Sequence, residues 1–114
     1  MKRDKVYLKH ILDAISNIEK FMKGVSKEAF SSNIEKQYAV LRGLEIIGEA
    51  TKSLSEELKT KYPQVPWKEI AGMRDKLIHQ YFGVDLELVW ETIRKDLPKL
   101  KNRVIRILKE IEEK

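Results

Sequence analysis

Apolar residues recur every three or four positions along nearly the whole chain. Leu8, Ile11, Leu12, Ile15, Ile18 and Met22 make one broad apolar face, the period of an amphipathic helix rather than a strand. Asp4 is placed to cap this first helix and Gly24 to end it. Over residues 25–33 the pattern lapses. Ser26 reads as the cap of a short helical turn, Phe30 as a residue tucked back onto the core, and Ser31-Ser32-Asn33 as a stop followed by a new cap. A second long helix is predicted over about 34–54, with Tyr38, Leu41, Leu44, Ile47 and Leu54 as buried candidates. Gly43 and Gly48 lie inside it. Glycine costs about 1 kcal/mol against alanine in a helix interior, so the pair predicts close approach by another helix, from this chain or a second copy.

Ser53 and Glu56 have the spacing of a capping box, which predicts a short helix over 54–61. Tyr62-Pro63-Gln64-Val65-Pro66-Trp67 breaks the pattern, with Pro66 suited to the first position of the next helix and Trp67 to the edge of the core. That helix is expected to run from 67 to about 80, with Ile70, Met73 and Leu77 inward. Phe82-Gly83-Val84 make a turn, and Asp85 caps a helix carrying Leu86, Val89, Trp90 and Ile93. Asp96 and Pro98 open a last helix whose Leu100, Val104, Ile107, Leu108 and Ile111 face inward. No strand-type alternation, repeat or low-complexity segment is visible, and strands are not expected. The prediction is an all-α, largely antiparallel bundle of four to five principal helices with short extras, in one domain over residues 1–114.

Composition narrows the possibilities. With no cysteine among 114 residues, disulfides and thiolate metal sites are excluded. The two histidines, His10 and His79, are too far apart in sequence for a His-x-x-x-His pair, so a zinc site is not expected; the many carboxylates leave room only for a weak magnesium site, and no cofactor is expected. No apolar run approaches the ~20 residues that cross a bilayer, and Met1-Lys2-Arg3-Asp4 leads straight into charged helix. The expectation is a soluble, cytoplasmic protein with no membrane partner. Lys and Arg outnumber Asp and Glu by 23 to 18, a formal charge of +5, which favours encounter with polyanions such as RNA. Lys95, Lys99, Lys101, Arg103, Arg106 and Lys109 load the last helix. Lys2, Arg3, Lys5 and Lys9 crowd the start of the first, the wrong end for cations by the helix dipole. That mismatch points weakly to an anionic partner and equally to a frayed, hydrated terminus, and for any single lysine an ordinary solvated surface is the better explanation.

The chemistry concentrates in residues 74–81, Arg-Asp-Lys-Leu-Ile-His-Gln-Tyr. An imidazole exchanges protons near neutral pH and a guanidinium holds a phosphate oxygen with paired hydrogen bonds. Arg74 and His79 thus supply two parts of a metal-free phosphodiester-cleaving site. On an unbroken helix His79 would lie roughly 140° around from Arg74, with Tyr81 close to the Arg74 face. Either the helix ends near His79, or the arginine reaches across, or a second copy supplies the partner. A histidine near a helix end also has a plain structural role at the dipole. Arg42, Glu45 and Glu49 share a polar face of the second helix. They form either a surface ion-pair ladder or a wall of the same cleft. His10, without such neighbours, reads as a surface or rim residue.

Arg74, His79 and Tyr81 reproduce Arg-x-x-x-x-His-x-Tyr, and by it the chain resembles the HEPN superfamily in its HepT-like toxin branch. Gly72-Met73 before the motif, Phe82-Gly83-Val84-Asp85 after it, Val89-Trp90, Leu97-Pro98 and the upstream block Leu44-Glu45-Ile46-Ile47-Gly48-Glu49-Ala50 follow the same order, from about Tyr7 to Leu100. One position departs: Asp75 stands where asparagine is common after the motif arginine, and lowers the local positive potential. The resemblance implies a homodimer with two motif helices around one groove. It further implies a metal-independent endoribonuclease acting on single-stranded RNA, with Arg74 and His79 catalytic and Arg42, Glu45, Glu49 and Asp75 lining the cleft. It also implies that a cognate MNT-type nucleotidyltransferase antitoxin places AMP on Tyr81. The alternative is a non-catalytic helical module that binds RNA or the nucleotidyltransferase.

Overall fold

Leu8, Ile11, Ile15 and Ile18 are wholly buried on one face of α1 (Lys2–Met22), as their spacing requires. The structure, a computed structural model, describes residues 2–79 and 83–113, and for 74, 78, 79, 83 and 84 the backbone alone. α1 ends at Gly24, whose φ of +72° is the left-handed value that stops a helix at little cost for glycine. A short α2 (Lys27–Ser31) follows, capped by Ser26 through a bond from Ala29 N–H, and buries Phe30. α3 (Ile34–Lys52) starts from Asn33, which accepts from Lys36 N–H.

α3 runs antiparallel to α1. Lys36 Nζ near its start reaches the Phe21 carbonyl at the end of α1, and Asp4 at the start of α1 meets Ser55 beyond the end of α3. The two helices close together at Gly43, where an added Cβ would stand 2.7 Å from Ile18 Cγ1. At Gly48 the neighbour is backbone: a Cβ there would lie 3.2 Å from the Ala71 carbonyl oxygen. Both glycines therefore mark close approaches within this chain. Tyr38, expected to be buried, is instead 71% exposed, and Ile34 one turn earlier is 65% exposed. They lie on the flank of α3 turned away from α1, where Val40, Leu44 and Ile47 fill the core.

Ser53 ends α3, its hydroxyl donating back to the Glu49 carbonyl, and does not open a capping box. The cap of α4 (Glu56–Lys61) is Ser55. Pro66 stands one residue before α5 (Trp67–Ala71), and the buried Trp67 indole N–H donates to the Tyr62 carbonyl. The expected helix from 67 to about 80 is divided: α5 stops at Gly72, and α6 (Met73–Leu77) is one further turn. Residues 78–79 then form β1 (Ile78–His79), antiparallel to β2 (Gly83–Val84), with Ile78 opposite Val84 and His79 opposite Gly83. This two-residue ladder was not foreseen, because it depends on pairing across residues 80–82 and not on any local alternation.

Asp85 caps α7 (Leu86–Glu91) by accepting from Leu88 N–H. Asp96 and Pro98 do not start a new helix. The chain continues through a π turn (Thr92–Asp96) directly into α8 (Leu97–Glu112), and Asp96 makes no capping bond. Pro98 has no N–H to give and its ring crowds the preceding turn. The turn widens accordingly, with Leu97 N–H donating to the Thr92 carbonyl five residues back. α8 lies antiparallel to α1, tied by Lys101 to Glu19 at 2.9 Å and by Lys5 to Glu112 at 3.8 Å. α2 is tethered to α7 by an ion pair between Lys27 and Glu87, and Phe30 packs on Trp90 with ring centroids 6.1 Å apart. The architecture is the expected all-α, largely antiparallel bundle, and no helix among the described residues is long and apolar enough to cross a membrane.

Candidate active site

The motif segment rests on α3. The carbonyls of Ile70 and Ala71, at the end of α5, come down over Gly48, 3.5 and 3.2 Å from where its Cβ would be. Gly72 then breaks the helix, with its N–H bonded to the Lys68 carbonyl, and Gly72 O accepts from Lys76 N–H to begin α6. The Leu77 carbonyl accepts from Asp85 N–H, which fixes the far side of the ladder. Arg74 therefore lies on α6, whereas His79 lies two residues past its end, in β1 opposite Gly83. The roughly 140° separation of a continuous helix does not apply. Tyr81 lies outside the described residues, as do the side chains of Arg74 and His79.

α6 is a ridge between two hollows. On one side, a hollow of about 380 Å³ is lined by Arg42, Glu45, Gly48, Glu49 and Lys52 of α3 with Ala71 and Asp75 opposite. It gathers all four residues named from the sequence as cleft-lining. Arg42 Nη1 is 2.7 Å from Glu45 Oε1, and Lys52 Nζ is 3.3 Å from Glu49 Oε2. Two cations here face three carboxylates, Glu45, Glu49 and Asp75, a balance better suited to holding a guanidinium than a phosphate.

On the other side, Met73, Lys76 and Leu77 of α6 face the π turn and α8 across a hollow of about 360 Å³. Ile70, Leu88, Leu97 and Leu100 complete an apolar lining, and Lys76, Lys99 and Arg103 outnumber Glu69 and Asp96 among its charged residues. Sequence reading noted the charge of α8 but not this hollow. The available signal was the spacing of Lys99, Arg103 and Arg106, which shares one helix face.

Elsewhere the candidates are less pointed. His10 is exposed, edge-on to Tyr7 at 5.9 Å. The amines of Lys5 and Lys9 at the start of α1 meet Glu112 at 3.8 and 4.0 Å, so the cations at that unfavourable helix end have a carboxylate in reach. Among the described residues no group of three or more His, Asp or Glu side chains is arranged to hold a metal ion.

The family model described as "Ribonuclease HepT-like" matches residues 11–107. A Methanocaldococcus jannaschii protein named as a putative RNase is 49% identical over 114 residues, covering 99% of this chain and 98% of its own. Another protein of that organism, named as a gamma-glutamylcyclotransferase and putative RNase, is 49% identical over 98% of this chain, which spans 51% of its length. A Thermococcus cleftensis protein named "Probable ribonuclease HepT" is 46% identical over 96% of this chain and the whole of its own. No solved structure matches. A family match from α1 to α8, with relatives near half identical along the full bundle, establishes that the chain belongs to the ribonuclease HepT-like family.

Proposed function

We propose that this protein is a metal-independent endoribonuclease of single-stranded RNA, the toxin of a toxin–antitoxin pair acting in the cytoplasm. Family membership and the ribonuclease names of its relatives support the reaction class. The observation that carries the residue assignment is the helix end at Leu77. It takes His79 off the helix that bears Arg74, so the two groups are not held on diverging helical faces.

In this reading His79, neutral, takes the proton from a ribose 2′-OH. The 2′-oxygen attacks the adjacent phosphorus and the bond from phosphorus to the 5′-oxygen breaks. The products are a 2′,3′-cyclic phosphate and a 5′-hydroxyl protonated by the second imidazole of a dimer or by water. Arg74 binds the scissile phosphate and offsets the charge that grows on it. Glu45, Glu49 and Asp75 act as a polar wall that orients a guanidinium, with Glu45 also paired to Arg42 and Glu49 to Lys52. DNA lacks the attacking hydroxyl and is not cut this way. Two chains pair about a two-fold axis, so that two motif segments share one groove.

Control is by an MNT-type nucleotidyltransferase antitoxin. The Tyr81 phenolic oxygen displaces pyrophosphate from ATP and gains AMP. The added bulk and negative charge occupy Arg74 and exclude RNA.

The test is incubation of wild type, Arg74→Ala and His79→Ala with RNA in EDTA. Cleavage by wild type alone, leaving cyclic phosphate ends, is the expected result. RNA that is bound but left intact, equally by wild type and His79→Ala, would make the protein a binding module instead. Co-expression with the nucleotidyltransferase adds adenylate mass, and a Tyr81→Phe chain still modified to the same extent removes Tyr81 as the acceptor.

A further inference from the structure

Lys99, Arg103 and Arg106 stand at positions i, i+4 and i+7 of α8, all exposed, and span about 10 Å along one face of the helix. Among the described residues none of the three, nor Lys76 across the hollow from Lys99, makes an ion pair. By contrast, Lys95 and Lys101 on the same helical run are paired with Glu91 and Glu19. Arg103 lines two adjoining hollows: the apolar one beside α6 and a third of about 370 Å³, where Arg103 and Arg106 face one carboxylate, Glu110, which accepts from the Tyr62 hydroxyl. The two form a track along α8, with unpaired cations at intervals and an apolar cavity at the end nearest the motif. The hollow on the opposite side of α6, with its excess of carboxylates, is the poorer seat for a polyanion.

We infer that this face of α8 carries the strand of RNA that flanks the scissile position. Its phosphates lie along Lys99, Arg103 and Arg106, and one base enters the cavity floored by Met73, Leu77, Leu97 and Leu100. The inference rests on the ribonuclease reading and names where the substrate lies beyond the reacting phosphate. Spaced cations beside a base-sized apolar recess are what an extended single strand requires. An acidic protein surface would need the cations but not the recess.

The test separates binding from cleavage. A single-stranded 2′-O-methyl oligonucleotide, which lacks a free 2′-OH, is titrated by fluorescence anisotropy against full-length wild type, Lys99→Gln/Arg103→Gln/Arg106→Gln, and a control carrying Lys2→Gln/Lys20→Gln/Lys23→Gln. Circular dichroism confirms that each is folded. The α8 triple variant is expected to bind about ten-fold or more weakly. Its slope of log affinity on log salt should be shallower by about 2, at roughly 0.7 per lost phosphate contact, whereas the control follows wild type. With cleavable RNA the same variant raises KM and leaves kcat unchanged. Equal affinities and slopes for the two triple variants overturn the track. Competition by poly-glutamate as effective as by RNA overturns it in favour of an acidic protein. Tight, α8-dependent binding by a wild type that cuts nothing keeps the track and removes the nuclease.

Discussion

The carboxylate of Asp4 accepts two hydrogen bonds from Ser55, 51 positions away: one from its backbone N–H at 2.8 Å and one from its hydroxyl at 2.7 Å. The Ser55 hydroxyl oxygen also caps α4 by accepting from Leu58 N–H. In a capping box the cap's own N–H is satisfied by a carboxylate three residues on. Leu58 stands there, and α1 supplies the carboxylate instead. Asp4 is only 1% exposed, so Asp4→Ala leaves a part-buried Ser55 N–H without its acceptor and should cost about 1–3 kcal/mol. Ser55→Ala removes the helix cap and should cost about 1 kcal/mol. Because the two share bonds, the double variant should lose less than the sum. Urea denaturation measures all three, and an Asp4→Ala protein as stable as wild type would refute the linkage.

Gly48 is a second long-range contact with a definite sign. Alanine is preferred to glycine within a helix by about 1 kcal/mol, yet its Cβ here would press on the Ala71 carbonyl at 3.2 Å. That oxygen is backbone at the end of α5 and cannot turn aside without moving the start of α6. Gly48→Ala should therefore lower the denaturation midpoint despite its helix preference. A gain in stability of the propensity's size would show that α5 yields freely.

Tyr62 provides a pH signature. Burial first, then the hydrogen bond to Glu110 at 2.8 Å and the charge of that carboxylate, hold its pKa above the ordinary 10.0. A raised folded value means that the unfolded chain gives up this proton first. The group's contribution to stability is complete below about pH 10 and is lost as pH climbs through the folded value. At neutral pH, Tyr62→Phe should cost about 1 kcal/mol for the hydrogen bond. As pH rises above 10 the gap between wild type and variant should close. A gap constant over that range would mean that Tyr62 ionises equally in both states.

Much of this fold could be read from the sequence where the deciding contact is local. Ser26, Asn33 and Asp85 cap their helices through bonds three residues on, within reach of a spacing rule. Asp4 does not cap α1 as its residue type suggests: it lies inside the first turn and its carboxylate accepts from Ser55 instead, and nothing near Asp4 in the sequence announces a partner on another helix. Tyr38 was misplaced because apolar positions 34, 38 and 41 continue around α3, and periodicity does not say which adjoining flank α1 covers. Gly72 was read through because one glycine costs a helix little. Asp96 and Pro98 carry the residue types of a helix start, but a π turn can also accommodate a proline. At the site, the sequence offers Arg74, His79 and Tyr81 as candidates by residue type and spacing alone. The hollows on either side of α6 were not legible, because they are made by α3 and α8 together with the motif.

Arg74 lies within α6 and His79 beyond its end, so a two-fold pairing can set the arginine of one chain beside the histidine of the other. Arg74→Ala and His79→Ala chains should each be inactive alone. When they are unfolded and refolded together, mixed dimers contain one groove half with both native groups and one with neither, so part of the activity should return. If both groups come from the same chain, every site in a mixed dimer lacks one of them and no activity returns. Native mass spectrometry establishes that mixed dimers have formed, and cleavage of RNA is then read on that sample. Mixed dimers that remain inactive would rule out a site shared between chains.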